Sequence, residues 1–397
     1  MSLVSDYESE AVIVGHRGFK AKYTENTLHG FEKCFGLGAT SIETDVWLTK
    51  DQVVIISHDV STKRIFCDAE GNPTDYNILE TNYYDTLKNL QTIELGEKLL
   101  TFRDVLSWFY DYVKQHDSNS HKLMLDIKRF NPTKLIKYLI KDLLHVHNDL
   151  GWWLHRIQFG IWDLSFIKYL NQDDDFQKLF SNIKNPLGFK QFEIIHISFS
   201  WRDSLHYLRY NAYLDEQNKD PDSNLVLFKV SGVSLLYLLT WSIQFLTVFV
   251  PLLKHQDLSL YSWTINNFQQ FDYLLALGRI SNLREFGVVT DHPDLMVDHM
   301  NGQTSLSNSS DDELATELTR LTTSHESWVE KQTLHLTWEQ RFAHFLFVLF
   351  QRLAQSKMLT KEELQFDSIV DENEIRVTKP NPFFGWVFST CQKFGIF

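Results

Sequence analysis

Two carboxylates, Glu43 and Asp45, stand two residues apart in the apolar run 41–47. In a strand such positions share a face, so both point into one pocket. Side by side they repel unless positive charge lies between them, and a divalent hard cation, Mg2+ or Ca2+, is the usual solution. A third acidic ligand is offered by Met124-Leu125-Asp126-Ile127-Lys128, another apolar run whose polar residues alternate onto one side. Asp126 completes the carboxylate set, and Lys128 supplies a positive group for an anionic substrate oxygen. In isolation an Asp and a Lys two apart read as a structural ion pair; beside two further carboxylates the balance reverses. His16 and His58 each follow a strand-like run. Two imidazoles flanking a phosphodiester divide the proton work, one taking a proton from the nucleophile and the other giving one to the leaving alkoxide. Arg17 adds a planar fork suited to two phosphate oxygens. Plainer roles stand nearby: Asn26 or Thr27 as a helix cap, Glu25 as a residue orienting His16 or a metal ligand, and Trp263, taken alone, as a core aromatic.

These side chains need a scaffold that delivers strand ends to one face. Strand-like runs recur at 12–14, 41–47, 52–57, 122–127, 156–161, 193–199, 225–230, 258–263 and 286–289. Helical stretches follow most of them, as at 26–37, from Thr101, and at 132–146, 268–277 and 293–300. About eight strand-then-helix units in roughly three hundred residues predict a TIM (β/α)8 barrel rather than an open doubly wound sheet. The polar stretch 59–100, with Gly71-Asn72-Pro73 turn chemistry, is too long for a minimal connection and reads as an insertion after the second strand, on the functional face. Residues 230–253 carry no charge and match a membrane span in length. The barrel rhythm divides them instead into a strand at 225–230, a turn at Ser231-Gly232 and a covering helix at 235–253.

Composition narrows the functions further. The chain has 397 residues, 43% of them apolar, which supports a large core. Its net charge of −13 is opposite to what a broad nucleic-acid surface requires, so no nucleic-acid partner is expected. Cys34, Cys67 and Cys391 form neither a C-x-x-C pair nor a disulfide framework. The first ten residues lack a basic region and an apolar core, which predicts no secretory signal and a barrel on the cytosolic side of whatever membrane it meets. The resulting division is a lead at 1–10, a barrel at 11–300, a polar and acidic linker at 301–335 and an aromatic segment at 336–397. Within that last segment the apolar core of 338–353 is too short to span a bilayer. It could lie at an interface or pack on protein. The runs 383–388 and 394–397, with Lys379 and Lys393 nearby, suit a membrane headgroup boundary or a groove of the chain's own barrel.

His16-Arg17, Glu25-Asn26-Thr27, Glu43-x-Asp45 and His58-Asp59 resemble, in order and spacing, the glycerophosphodiester phosphodiesterase family. The likeness continues through Leu125-Asp126-Ile127-Lys128, Ser262-Trp263-Thr264-Ile265-Asn266 and Gly287-Val288-Val289-Thr290-Asp291-His292-Pro293, covering about 11–300. It implies a TIM barrel with a short insertion and one divalent cation held by Glu43, Asp45 and Asp126. His16 and His58 would be the acid/base pair, Arg17 and Lys128 the phosphate contacts, and Trp263 an apolar wall near the glycerol. Many members carry Glu where this chain has Asp126, a shorter reach to the metal. The Asp form, together with His16-Arg17-Gly18-Phe19-Lys20-Ala21 and the aromatic tail, looks like the fungal phosphatidylglycerol-specific phospholipase C branch. The resemblance therefore implies hydrolysis of a glycerophospholipid, phosphatidylglycerol, to diacylglycerol and glycerol phosphate at a membrane, on an organelle such as the mitochondrion, lipid droplet or endoplasmic reticulum. The alternatives are a hydrolase of soluble glycerophosphodiesters such as glycerophosphocholine, and an inactive barrel serving as a membrane-tethered binding module.

Overall fold

The computed structural model describes residues 11–218, 225–240, 244–304, 359 and 361–375, with a few isolated positions between 338 and 390. Eight parallel strands close on themselves: β1 (Val12–His16), β2 (Ser41–Leu48), β3 (Lys122–Ile127), β4 (Ile157–Ile161), β5 (Glu193–Ser198), β6 (Gly232–Leu236), β7 (Ser259–Trp263) and β8 (Phe286–Thr290). Each pairs with its neighbour in sequence, and β1 pairs with both β2 and β8, so no barrel edge is left open. The outer ring is α1 (Leu28–Gly36), α2 (Phe102–Gln115), α3 (Leu135–Val146), α4 (Ser165–Gln172), α5 (Trp201–Gln217), α6 (Val250–His255), α7 (Phe268–Ser281) and α8 (Pro293–Thr304). This is the TIM barrel that the strand-helix rhythm predicts.

Local chemistry fixes the elements around the site. Thr27 caps α1 by accepting from Gly30 N, and Thr101 opens α2 through a reciprocal capping box with Asp104. The apolar stripes of the helices pack on the outer faces of the strands. Inside the barrel Val14, Met124, Ile195, Tyr261 and Val289 form a separate apolar plug beneath the catalytic end. The 59–100 insertion has its own small core, in which Phe66, Ile78, Leu87, Leu90 and Leu99 gather on Trp47 and Ile55. Ile55 belongs to the strand Val54–Ile56, which runs antiparallel to β2 outside the barrel. That anchorage holds the insertion over the strand ends.

One strand lies elsewhere than its sequence pattern suggested. Residues 225–230 are irregular, and the sixth strand is Gly232–Leu236, so Ser231-Gly232 begins the strand instead of leaving it. The alternating pattern of 225–230 is real, but side-chain amides pair its backbone. Gln177 takes Val226, Asn171 takes Phe228, Gln191 takes Lys229 and Asn211 takes Val230, each through both donor and acceptor. Burial alternation records which side faces the core, not which groups satisfy the main chain. The uncharged stretch thus splits into β6, a short turn at Tyr237–Leu239 and helix from Phe245 to His255. Among the described residues no helix is long and apolar enough to cross a membrane.

Gly232 shows why β6 begins where it does, because a Cβ there would stand 2.8 Å from Ile195 Cδ1 and 2.9 Å from Ser259 Cβ. Gly232→Val should lower the unfolding free energy by about 1–3 kcal/mol through overpacking. Leu225→Ser, at an exposed position, should change it by less than about 0.5 kcal/mol. Urea unfolding of the two variants checks the assignment, and equal losses would contradict it.

Candidate active site

Sheet register brings the predicted residues together. His16 of β1 lies beside Glu43 of β2, and Asp45 of β2 lies beside Asp126 of β3. Glu43, Asp45 and Asp126 are all buried and each offers an oxygen within 4.8 Å of the others. They line a cavity of about 310 Å3 at the carboxyl ends of the strands, together with His16, Arg17, His58, Lys128 and Trp263. Every residue predicted to touch metal, phosphate or proton therefore reaches one cavity.

The carboxylates are held differently. Asp45 accepts from Asn26 Nδ2 at 3.0 Å, lies 3.5 Å from Arg17 Nε and 2.5 Å from Lys128 Nζ. Burial opposes its ionisation, but Lys128, His58 and Arg17 outweigh that and hold its carboxyl well below the usual carboxylate range. Glu43 accepts from the Arg17 backbone N–H at 2.9 Å, yet burial and the neighbouring Asp45 and Asp126 push its carboxyl well above the usual range. Asp126 is gripped through both oxygens, by Lys128 Nζ at 2.6 Å and by the Trp162 indole N–H at 2.8 Å. The donor set fits a divalent cation: three hard oxygen ligands converge, and Lys128 already places an ammonium between Asp45 and Asp126. The buried Oδ1 of Asp45 faces the Lys128 ammonium at 2.5 Å, the place of a positive charge that a metal would take over.

The flanking residues resolve the roles left open by spacing. Thr27, not Asn26, caps the helix. Asn26 sits in the left-handed region with φ 59°, accepts from Thr44 Oγ1 at 2.8 Å and turns its amide toward Asp45. Arg17 is also left-handed, with φ 52°, a strained geometry for a side chain of its size. That turn aims its main-chain N–H at Glu43 while its guanidinium reaches Glu25 at 3.2 Å. Glu25 lies outside the ligand set and bridges Arg17 to Arg64, whose two terminal nitrogens approach it at 2.9 and 2.7 Å. Trp263 is half-buried and joins Trp162 and Phe199 in an aromatic wall, with ring centroids 5.2–5.8 Å apart.

Each histidine has a carboxylate on Nδ1, which leaves Nε2 for a substrate. His16 meets Asp291 at 2.6 Å and His58 meets Asp59 at 2.7 Å. Burial, reinforced by Arg17, lowers the His16 pKa to about 4 despite Asp291. Burial and then Lys128 also lower that of His58. Both imidazoles are thus set to accept a proton.

Sequence reasoning assigned no role to Asp291, Arg64, Trp162 or Phe199. Asp291 is the first residue beyond β8, and Gly15 pairs with Thr290, so closing the barrel on paper would have brought it beside His16. Trp162 and Phe199 are likewise the first residues beyond β4 and β5. Arg64 comes from the insertion, where no periodicity announces it, and it holds both Asp59, at 2.6 Å, and Glu25.

A family model described as the Glycerophosphoryl diester phosphodiesterase family matches residues 16–295. The chain is 30% identical over 102 residues to a glycerophosphodiester phosphodiesterase of Caldanaerobacter subterraneus, a stretch covering 26% of this chain and 42% of that protein. It is 21% identical over 285 residues to YhdW of Bacillus subtilis, a candidate glycerophosphodiester phosphodiesterase, covering 72% of this chain and 96% of the relative. A phosphodiesterase of Oleispira antarctica, solved in complex with the product sn-glycerol-3-phosphate, superposes with a TM-score of 0.50 at 16% identity. That superposition covers 74% of this chain and 97% of the other, and shows the fold.

The His16 shift has a consequence for stability. Between pH 6.5 and about 4 the unfolded chain carries a proton that folded His16 does not. Its contribution is complete above pH 6.5 and is lost as the pH falls toward 4. His16→Asn should flatten the pH dependence of unfolding free energy in that window by up to one proton, about 1.4 kcal/mol per pH unit. Denaturant unfolding at a series of pH values checks it, and parallel curves for the two proteins would contradict it.

Proposed function

The chain belongs to the glycerophosphoryl diester phosphodiesterase family, matched over residues 16–295, and from that membership we propose that it hydrolyses phosphatidylglycerol to diacylglycerol and glycerol phosphate. The observation that carries this reading is one cavity with two unlike sides. A metal-competent acidic triad and two aspartate-oriented imidazoles line one side, and the aromatic wall of Trp162, Phe199 and Trp263 the other. The first handles a phosphodiester; the second suits the less polar glycerol backbone of a lipid. Exposed Ile93, Leu95, Val248, Phe268 and Leu295 lie on segments that follow the carboxyl ends of the strands, and an apolar rim built from them would suit a membrane surface. The aromatic runs at 338–353 and 383–397, as whole segments, lie outside the described residues; they would add a membrane contact.

The chemistry follows from the positions of the side chains. A divalent cation on Glu43, Asp45 and Asp126 would supply Lewis-acid polarisation of a phosphoryl oxygen. Arg17 and Lys128 balance the charge of the diester. One neutral imidazole takes the proton from the headgroup hydroxyl as that oxygen bonds to phosphorus. The other, in its protonated form, gives a proton to the departing diacylglycerol oxygen as its P–O bond breaks. The cyclic phosphate is then opened by water with the two roles exchanged, so one water is consumed per glycerol phosphate released. An inactive binding module would have no need to keep His16, His58 and all three carboxylates in one cavity.

The purified full chain should release diacylglycerol from phosphatidylglycerol vesicles, lose that activity to a chelator and regain it with Mg2+ or Ca2+. His58→Ala should lower kcat about 100- to 10,000-fold with an unchanged melting curve. Cleavage of soluble glycerophosphodiesters alone, such as glycerophosphocholine, would overturn the lipid assignment. Undiminished turnover in His58→Ala would overturn the acid/base scheme.

A further inference from the structure

The described segment 361–375 is docked on the barrel far from its place in sequence. Phe366 packs on His206, Tyr210 and Tyr213 of α5. Lys168 of α4 donates to Gln365 O at 2.7 Å and to Ser368, while Lys137 of α3 and Tyr169 of α4 hold Glu372 at 2.8 and 2.5 Å. At the near end of this strap Glu363 is 1% exposed. Its carboxylate meets Arg129 Nη2 at 2.8 Å, the Tyr207 hydroxyl at 2.8 Å and the Leu164 backbone N–H at 3.3 Å.

Those partners sit directly behind the active site. Arg129 follows Lys128, and Leu164 lies two residues after Trp162. Lys128 and Trp162 are the two groups that grip Asp126, one on each oxygen. Tyr207, besides meeting Glu363, stands 3.2 Å from the Trp162 carbonyl. A buried carboxylate from beyond residue 300 therefore joins the direct pair of Arg129 and Asp163, 3.4 Å apart, in tying the loop after β3 to the loop after β4.

We propose that Glu363 is a positioning residue for the acidic triad, and that the strap 361–375 is part of the catalytic unit. Its role is to fix Lys128 and Trp162, and through them the orientation of Asp126. This rests on the reading of the triad as a metal site in a phosphodiesterase. None of the three measurements below depends on lipid turnover, and the first depends on neither metal nor turnover, so failure of that reading and failure of this one are distinguishable.

The test uses the full chain with Glu363→Gln, and with the triple change Arg129→Met, Asp163→Asn and Glu363→Met, which removes the tether without leaving either buried carboxylate unpaired. Three quantities are measured: the Trp162 indole N–H resonance in metal-free protein, assigned through Trp162→Phe; affinity for Ca2+ alone by calorimetry; and kcat and KM on glycerophosphoglycerol, a soluble diester that keeps the neighbouring hydroxyl. Both variants should shift the indole resonance, weaken Ca2+ binding and lower kcat about 10- to 100-fold, as outer supports of metal sites do, with KM little changed. Wild-type values in folded Glu363→Gln would overturn the proposal. If Glu363→Gln fails to fold, the triple variant decides: loss of Ca2+ affinity and kcat supports positioning. Recovery of wild-type values would overturn it and make Glu363 only a counter-ion of Arg129. A wild-type chain that bound no Ca2+ would instead defeat the metal reading, while the indole resonance would still report on the tether.

Discussion

Mutual repulsion among three buried carboxylates is the constraint on which the catalytic end of this barrel depends. Glu43, Asp45 and Asp126 lie within ligand distance of one another with almost no water to screen them. Such a cluster folds only if cations enter it or protons stay on it. The protein uses both devices. Arg17 and Lys128 push Asp45 toward ionisation, while Glu43 is driven the other way. A divalent ion would let all three ionise and would free Lys128 to meet a phosphate. A hard cation followed by an anionic ligand would relieve the imbalance that makes the metal-free site costly.

The two imidazoles resemble each other locally and differ in how they are supported. His16 receives its aspartate from the far end of the barrel's sequence, across the seam where β8 closes on β1. His58 receives its aspartate from the next residue, and Arg64 of the insertion clamps that aspartate from outside. Arg64 also reaches Glu25, and Glu25 reaches Arg17. The insertion is thereby wired to Arg17 by charge, and it is anchored on β2 by its small apolar core. It acts as a wall of the site that can be placed accurately only if the barrel beneath it is already closed.

Legibility in the sequence followed the physics of each element. Glu43, Asp45, Asp126 and Lys128 could be read because a strand repeats every two residues and the apolar partners made the strands obvious. His16 and His58 could be read because strand ends in this architecture point to one face. Asn26 was legible as a polar residue at a helix start, but its use was not: the left-handed backbone that turns its amide to Asp45 has no signature in residue type alone. Residues 225–230 misled because side-chain amides from four distant positions took the place of a sheet partner. Asp291 and Arg64 depend on contacts across 275 and 39 residues, and no local pattern encodes those.

Strand register sets where a carboxylate leaves the main chain, but not where its oxygens finish. Asp126 stands beside Asp45 because β2 and β3 are in register, yet its side chain still has rotamers to choose among. Both of its oxygens are fixed by groups on loops, Lys128 after β3 and Trp162 after β4, and loops are the least rigid parts of a barrel. A ligand set placed to within half an ångström needs those loops tied to something stiffer than themselves. The helices lie too far out to reach the cavity directly, so the tie must be buried between helix and loop, and it must carry charge because it has to hold Arg129. Glu363, seated between α5 and the two loops, meets each requirement. A segment that sequence composition assigned to a tail beyond the barrel is, by this reasoning, where the rigidity of the metal site originates.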